Sequence, residues 1–283
     1  MLSKYIRVIH SDDGTLADIS LQSQDRTNSF SLPIVSGEDY IYIGQYYPSN
    51  NIYFEIDTAN TNACTIAIDV WNNEWISAVD ILDGTSSSGK SMAQSGVVQW
   101  DIDRDNLGWA NIHDPTNESS DLGFESLKIY DLYWFRLSFS ADLSSGSDLK
   151  HIGYKFANGN DLKALAPDIE NYLTSWESGK TNWDEQILEG SKQVVLYLKN
   201  KGIIASASNI LRFDEINIPC AYKTLAIIYE GINGEEYRIL SADMNKKFIE
   251  LIKQAPIVVD RNKNATVEVE QEVNKISFGK LVR

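Results

Sequence analysis

The sequence predicts an α+β, multidomain chain: an antiparallel β-sandwich, then a small helical bundle with a C-terminal β-hairpin arm and tail. Three observations predict it. Short segments rich in Ile, Val, Tyr, Trp and Phe, most of them alternating apolar and polar residues at period two, fill the first half. The spacing turns helical after residue 160. The chain has 283 residues, 43% of them hydrophobic and 11% aromatic, enough for a core in each part.

The strand segments are 4–9 (KYIRVI), 40–45 (YIYIGQ), 51–57 (NIYFEID), 64–71 (CTIAIDVW), 75–82 (WISAVDIL), 97–102 (VVQWDI) and 132–140 (LYWFRLSFS). Turn formers separate them: Gly14, Pro33, Gly37, Pro48, Asn72-Asn73, Gly84, Gly96 and the Asn/Pro/Ser-rich stretch 114–121. In segment 64–71, Cys64, Ile66, Ile68 and Val70 share one face, and Thr65, Ala67, Asp69 and Trp71 the other. Asn72-Asn73 then turns the chain tightly into Trp75, and Asp12-Asp13-Gly14 reads as a plain β-turn.

Residues 161–173 place Leu162, Leu165, Ile169 and Leu173 at helical spacing, with Pro167 limiting the helix start. Residues 183–200 place Trp183, Ile187, Val194, Val195 and Leu198 on one stripe, and Gly202 ends that helix. Residues 220–231 predict a buried apolar helix. A last helix spans 241–253, with Ser241 or Asp243 as N-cap and Pro256 just past its end. Residues 257–260, a turn at 261–264 and residues 265–273 then read as a hairpin or extended arm, before a ten-residue tail. The predicted divisions are 1–160, 161–256 and 257–283, with the first boundary within 155–164, around Gly159.

Charge is uneven. Residues 1–160 carry 22 Asp/Glu against 9 Lys/Arg, a balance of −13; residues 161–283 carry 18 against 16, a balance of −2, together the net −15. The acidic half is well solvated and repels nucleic acid. The near-neutral half suits packing against protein. No apolar run reaches membrane-spanning length, and the N-terminus lacks a signal-peptide apolar region. Cys64 and Cys220 read as small buried residues in a reducing compartment. The sequons at Asn117 and Asn264 then carry no weight.

Residues 84–91, GTSSSGKS, match the phosphate-loop pattern letter for letter. That chemistry needs a helix after the loop, so that its N-terminus faces the phosphates. Here only MAQS separates Ser91 from Gly96 and the next strand. A Gly/Ser-rich hairpin loop is the better reading. Asp101, Asp103 and Asp105 start like a calcium loop, but Asn106 and Ile112 stand where the turn glycine and bidentate glutamate belong. His10, His113 and His151 have no metal or general-base spacing. No catalytic residue, cofactor or metal site is expected, and the chain reads as no enzyme. Trp71, Trp75, Trp100, Trp109 and Trp134 leave a carbohydrate- or receptor-binding module as the alternative, against core packing.

Two regions resemble bacteriophage virion proteins of the neck and tail. Asp83-Gly84-Thr85, Lys90, Gly96-Val97-Val98-Gln99-Trp100-Asp101, Trp109 and Tyr133-Trp134-Phe135-Arg136-Leu137 are similar to a β-domain that recurs in phage structural proteins. Residues 183–273 resemble the head–tail adaptor (connector) family, with Gly190-Ser191-Lys192-Gln193-Val194 in one helix, then the helix 241–253 and the arm 257–273. A large β domain ahead of the bundle departs from the simplest adaptors. The resemblance implies a structural virion protein, assembled in the host bacterial cytoplasm. It implies a homo-oligomeric ring, usually dodecameric, joining the portal protein to tail and neck proteins, with genome DNA passing through the ring and no sequence-specific DNA contact. Helix 220–231, the arm, and Phe278, Leu281, Val282 and Arg283 of the tail are the expected docking elements.

Overall fold

The computed structural model describes residues 6–101, 132–213 and 215–259. The chain divides into two compact units, the first giving way to the second between Gly153 and Tyr154. The described residues form a mixed α/β structure with two antiparallel sheets and five α-helices.

The first unit holds β1 (Ile6–Asp12), β2 (Thr15–Asp18), β3 (Phe30–Ser31), β4 (Tyr40–Gln45), β5 (Asn51–Thr58), β6 (Ile66–Trp71), β7 (Trp75–Ser77), β8 (Val79–Asp83), β9 (Gly96–Asp101), β10 (Tyr133–Phe139) and β11 (Asp148–Gly153). One sheet runs β2-β1-β4-β10-β6-β7 and the other β3-β11-β5-β9-β8. The rings of Trp100 on β9 and Phe135 on β10 meet at 4.8 Å, joining the sheets across the interior. Alternation explains the faces. Cys64, Ile66, Ile68 and Val70 are buried while Thr65 and Ala67 are exposed. Trp71, on the second face, is buried as well, so that face is no simple solvent face. The β1–β2 turn uses Asp13 (φ 45°) and Gly14 (φ 77°), the left-handed pair of a two-residue hairpin.

The single strand expected over 75–82 is in fact two. Ala78 separates β7 in the first sheet from β8 in the second, and Asp80 (φ 51°) bulges β8 at the sheet edge. β2, β3 and β11 lie outside the expected segments. β2 is four half-polar residues, β3 is two residues long, and β11 pairs with β5 through register shifts that erase alternation.

The second unit is helical. Asn158 caps α1 (Gly159–Leu165) through a capping box with Asp161. Pro167 cannot continue that helix, so the expected helix over 161–173 is corrected to α1, a 3-10 turn (Ile169–Tyr172) and α2 (Leu173–Trp176). Leu162 and Ile169 are buried nonetheless. In α3 (Asp184–Asn200) the expected stripe of Ile187, Val194, Val195 and Leu198, with Trp183 before it, is buried. Gly202 (φ 69°) closes α3: its N–H bonds Lys199 O at 2.9 Å and the Ile203 N–H bonds Leu198 O at 3.0 Å. Gly202→Ala is expected to cost about 1 kcal/mol, read from the urea midpoint of the full chain.

Helix α4 (Asn217–Gly231) packs against both α3 and α5 (Glu235–Gln254). The expected N-cap of the last helix is wrong. The helix starts six residues before Ser241, after Gly234 (φ 145°), because Glu235 and Glu236 favour a first turn. The Ser241 hydroxyl instead donates to Ala226 O on α4 at 2.8 Å. Past α5, Ile257 and Val258 are buried, the Leu211 N–H bonds Val258 O at 3.2 Å, and Val259 bridges to Ile210. The expected arm therefore begins packed into the helical core. The rest of the arm, and Phe278, Leu281, Val282 and Arg283, lie outside the described residues.

Candidate functional site

The loop Gly84–Ser91 is where the sequence most resembles chemistry. Its polar groups are turned inward on one another. The Asp83 carboxylate accepts from the Thr85 N–H at 2.8 Å, from the Thr85 hydroxyl and from the Ser91 hydroxyl. The Thr85 hydroxyl in turn accepts from the Met92 N–H at 3.0 Å. Thr85 and Ser91 are buried. Ser87 and Lys90 exchange backbone bonds of 3.0 and 3.1 Å around Ser88 (φ 53°) and Gly89 (φ 75°). This is a two-residue hairpin tip. The Ser91 N–H bonds Cys64 O, and Asn60 Nδ2 donates to Ser91 O at 2.9 Å.

A phosphate cradle needs several loop N–H groups aimed at one empty point and a helix behind them. Here the Thr85, Ser86, Ser87, Lys90, Ser91 and Met92 amides all bond within the chain. Strand β9 follows where the helix would have to be. The Asp83-Gly84-Thr85 string is thus a clamp. Its glycine lies against β9 so closely that a Cβ on Gly96 would fall 2.0 Å from Gly84 O.

A second cluster lies on one face of the six-stranded sheet, away from the Trp100–Phe135 contact. Register puts Arg136 on β10 opposite Tyr42 on β4 and Asp69 on β6. Its Nε donates to Asp69 Oδ2 at 2.9 Å, and Asp69 Oδ1 accepts from the Ser77 hydroxyl at 2.8 Å. The guanidinium carbon lies 4.6 Å from the ring centres of both Tyr40 and Trp75. Trp75 meets Trp71 edge-on at 5.2 Å and Tyr42 at 5.6 Å. Burial pushes the Tyr42 hydroxyl pKa up, and Arg136 opposes this. Chemically the cluster is a stiff cationic–aromatic stack whose half-buried rim is Tyr40, Trp75 and Arg136. Sequence reasoning missed it. Alternation puts Asp69 and Trp71 on one face of β6, but only pairing register brings Tyr40, Trp75 and Arg136 to them.

The other expected positions are scattered. Trp71, Trp100 and Trp134 are buried, Trp75 is half-buried, and Trp109 lies outside the described residues. His151 is buried with Nδ1 2.9 Å from Ser23 O. His10 is buried in the first sheet, and His113, Asp103 and Asp105 lie outside the described residues. Among the described residues, no three His, Cys, Asp or Glu side chains are placed to hold a metal ion. No described helix is long and apolar enough to cross a membrane.

In the helical unit, Cys220, Ala221, Leu225, Ala226, Ile228 and Tyr229 of α4 are all buried. Helix 220–231 is therefore core, which corrects its expected role as a docking surface. Cys64 and Cys220 are both buried free thiols. Cys220 Sγ lies 3.4 Å from the Ser191 hydroxyl, which donates to Ile187 O and accepts from the Phe156 N–H. Complete burial pushes this thiol up to about 12, far from nucleophile chemistry. No protein family model, curated protein or solved structure matches the chain.

Proposed function

We propose that the chain is a structural protein of a tailed-bacteriophage virion, a head–tail adaptor that joins portal to tail as a ring. In this reading the first unit is a β-sandwich of the virion type. The second unit is an adaptor-like bundle continued by a hairpin arm and tail. The protein is a mechanical part and no enzyme, assembled in the host cytoplasm and resident in the neck.

One observation supports the reading above the others. The strings that resemble phage virion β-domains hold the protein's own fold together. Asp83, Gly84 and Thr85 clamp a hairpin, Trp100 joins the sheets, and Arg136 is stacked between two rings. Such residues give stiffness, which a load-bearing joint needs. The charge division agrees: the near-neutral helical part can assemble with copies of itself without strong repulsion, while the acidic part stays solvated.

The test is the light-scattering mass of the full chain, alone and with solubilised portal rings from candidate virions. The expected result is a ring, or a monomer that assembles on the portal and loses this ability when residues 274–283 are removed. A stable monomer indifferent to every portal preparation would overturn the reading. Titration of glycans against the Trp75 face would then follow.

A further inference from the structure

We propose that the outer face of α3 and the first three turns of α5 are the two halves of one contact between copies of this chain. The inference rests on the ring reading and names the surfaces that would build it.

Helix α4 packs against both α3 and α5 and leaves them as the flanks of the helical unit. The α3 flank carries one large apolar side chain in the open and the α5 flank two. Leu196 on α3 is 51% exposed, and Ile239 and Leu240 on α5 are 65% and 38% exposed. The α5 patch belongs to a helix covered by α4 on one side and open on the other. Of its 20 residues, only Phe248 and Ile252 are buried, both in the C-terminal half. A helix of this kind gains most of its stability from an apolar face packed on something else. Its N-terminal half sets Tyr237, Ser241 and Met244 against α4 and the core and leaves that apolar pair outside.

The two patches are complementary in charge, which selects a second copy as the occupant. One turn to either side of Leu196 stand Lys192 and Lys199, with Gln193 and Asn200 beside them. One turn to either side of Ile239 and Leu240 stand Glu235, Glu236 and Asp243, three acids against the one exposed cation Arg238 beside them. Asp243 already faces Lys247 at 3.4 Å, and Glu189, two turns before Leu196, accepts from Gln193. Lys192, Glu235 and Glu236 form no ion pair among the described residues. Docking α3 of one copy on α5 of the next covers both apolar patches and sets Lys192 against Glu235 and Glu236.

The two surfaces differ, so the contact is head-to-tail: it propagates and ends only by closing on itself. A patch this small makes a weak single contact. Ring closure makes the remaining contacts intramolecular and raises the strength of the whole.

The experiment uses the full chain and two surface variants, Lys192→Glu with Leu196→Glu, and Glu236→Lys with Ile239→Lys. Circular dichroism checks that each is folded. Masses are measured by sedimentation and light scattering, alone and with portal rings. Each variant is expected to weaken self-association about a hundredfold, because like charges then oppose each other. An equimolar mixture of the two variants is expected to regain assembly, because the intact α3 face meets the intact α5 face and the two reversed faces are again opposite in charge. Variants that keep the wild-type ring mass overturn this contact and leave the ring reading standing. A mixture that stays monomeric overturns the head-to-tail geometry. A wild-type chain that is monomeric in both settings overturns the ring reading, and this contact with it.

Discussion

Trp134→Ala is expected to destabilise the first unit by about 3–5 kcal/mol, the range for deleting a fully buried tryptophan. Trp134 is completely buried, on the sheet face opposite its neighbour Phe135. It packs with Ile9, Tyr42, Trp71 and Leu132. The space for its indole is made by Gly44, its cross-strand partner, where a Cβ would lie 2.8 Å from three ring atoms. Neither Gly44 nor the flanking backbone can move in to refill the hole, since both are fixed in the ladder. The measurement is urea unfolding, with the midpoint falling and the denaturant slope unchanged. A loss below about 1 kcal/mol would mean that the cluster collapses around the vacancy.

The second large effect is expected in alkali. The Cys220 thiol is pushed from an ordinary value near 9 up to about 12, first by complete burial, while the polar Ser191 and Thr224 hydroxyls beside it pull it back a little. In the unfolded chain the thiol releases its proton near pH 9, whereas the native protein keeps it to about 12. Within that window the native state binds more protons, so stability falls as pH rises. The stabilisation is fully present below pH 9 and fades through the window, by roughly a few kcal/mol in all. Burial raises Tyr229 too, which adds a fall of the same sign at higher pH. Unfolding free energies of wild type and Cys220→Ala across this window isolate the thiol. The variant is expected to lose some stability at neutral pH to a small cavity and to show a shallower alkaline decline. Equal declines would refute the assignment.

How much of this was legible in the sequence depends on the range of the interaction. Strands β4, β5, β9 and β10 and helix α3 could be placed within a residue or two, because alternation and the helical stripe are local. The loop at Gly84–Ser91 was also legible, since the missing helix after Ser91 could be read directly. The split at Ala78 was not: 75–82 is one run of mostly strand-forming residues with no Gly, Pro or Asn in it, and only pairing sends β7 and β8 to different sheets. The start of α5 was misplaced because Gly234 marks it while Ser241, a good cap, bonds to a neighbouring helix. The stack at Arg136 needs partners from β4, β6 and β7, up to 96 residues away in the case of Tyr40 (136 − 40). No local pattern encodes that.

The strand order has a consequence for how the chain is made. β10 sits between β4 and β6, and β11 between β3 and β5. During synthesis each sheet therefore waits, with an interior place vacant, for nearly the last described strand of the unit to leave the ribosome. Until Gly153 has emerged, four strand edges that will end up interior stand open to any passing chain. A nascent or prematurely terminated product ending before β10 is, for that interval, a template for pairing with its siblings. Slow closure of such distant partners lengthens the exposure. Yield in a host cell would then be governed by how quickly the ribosome covers the stretch from β9 to β11, and by whether a chaperone holds the chain meanwhile.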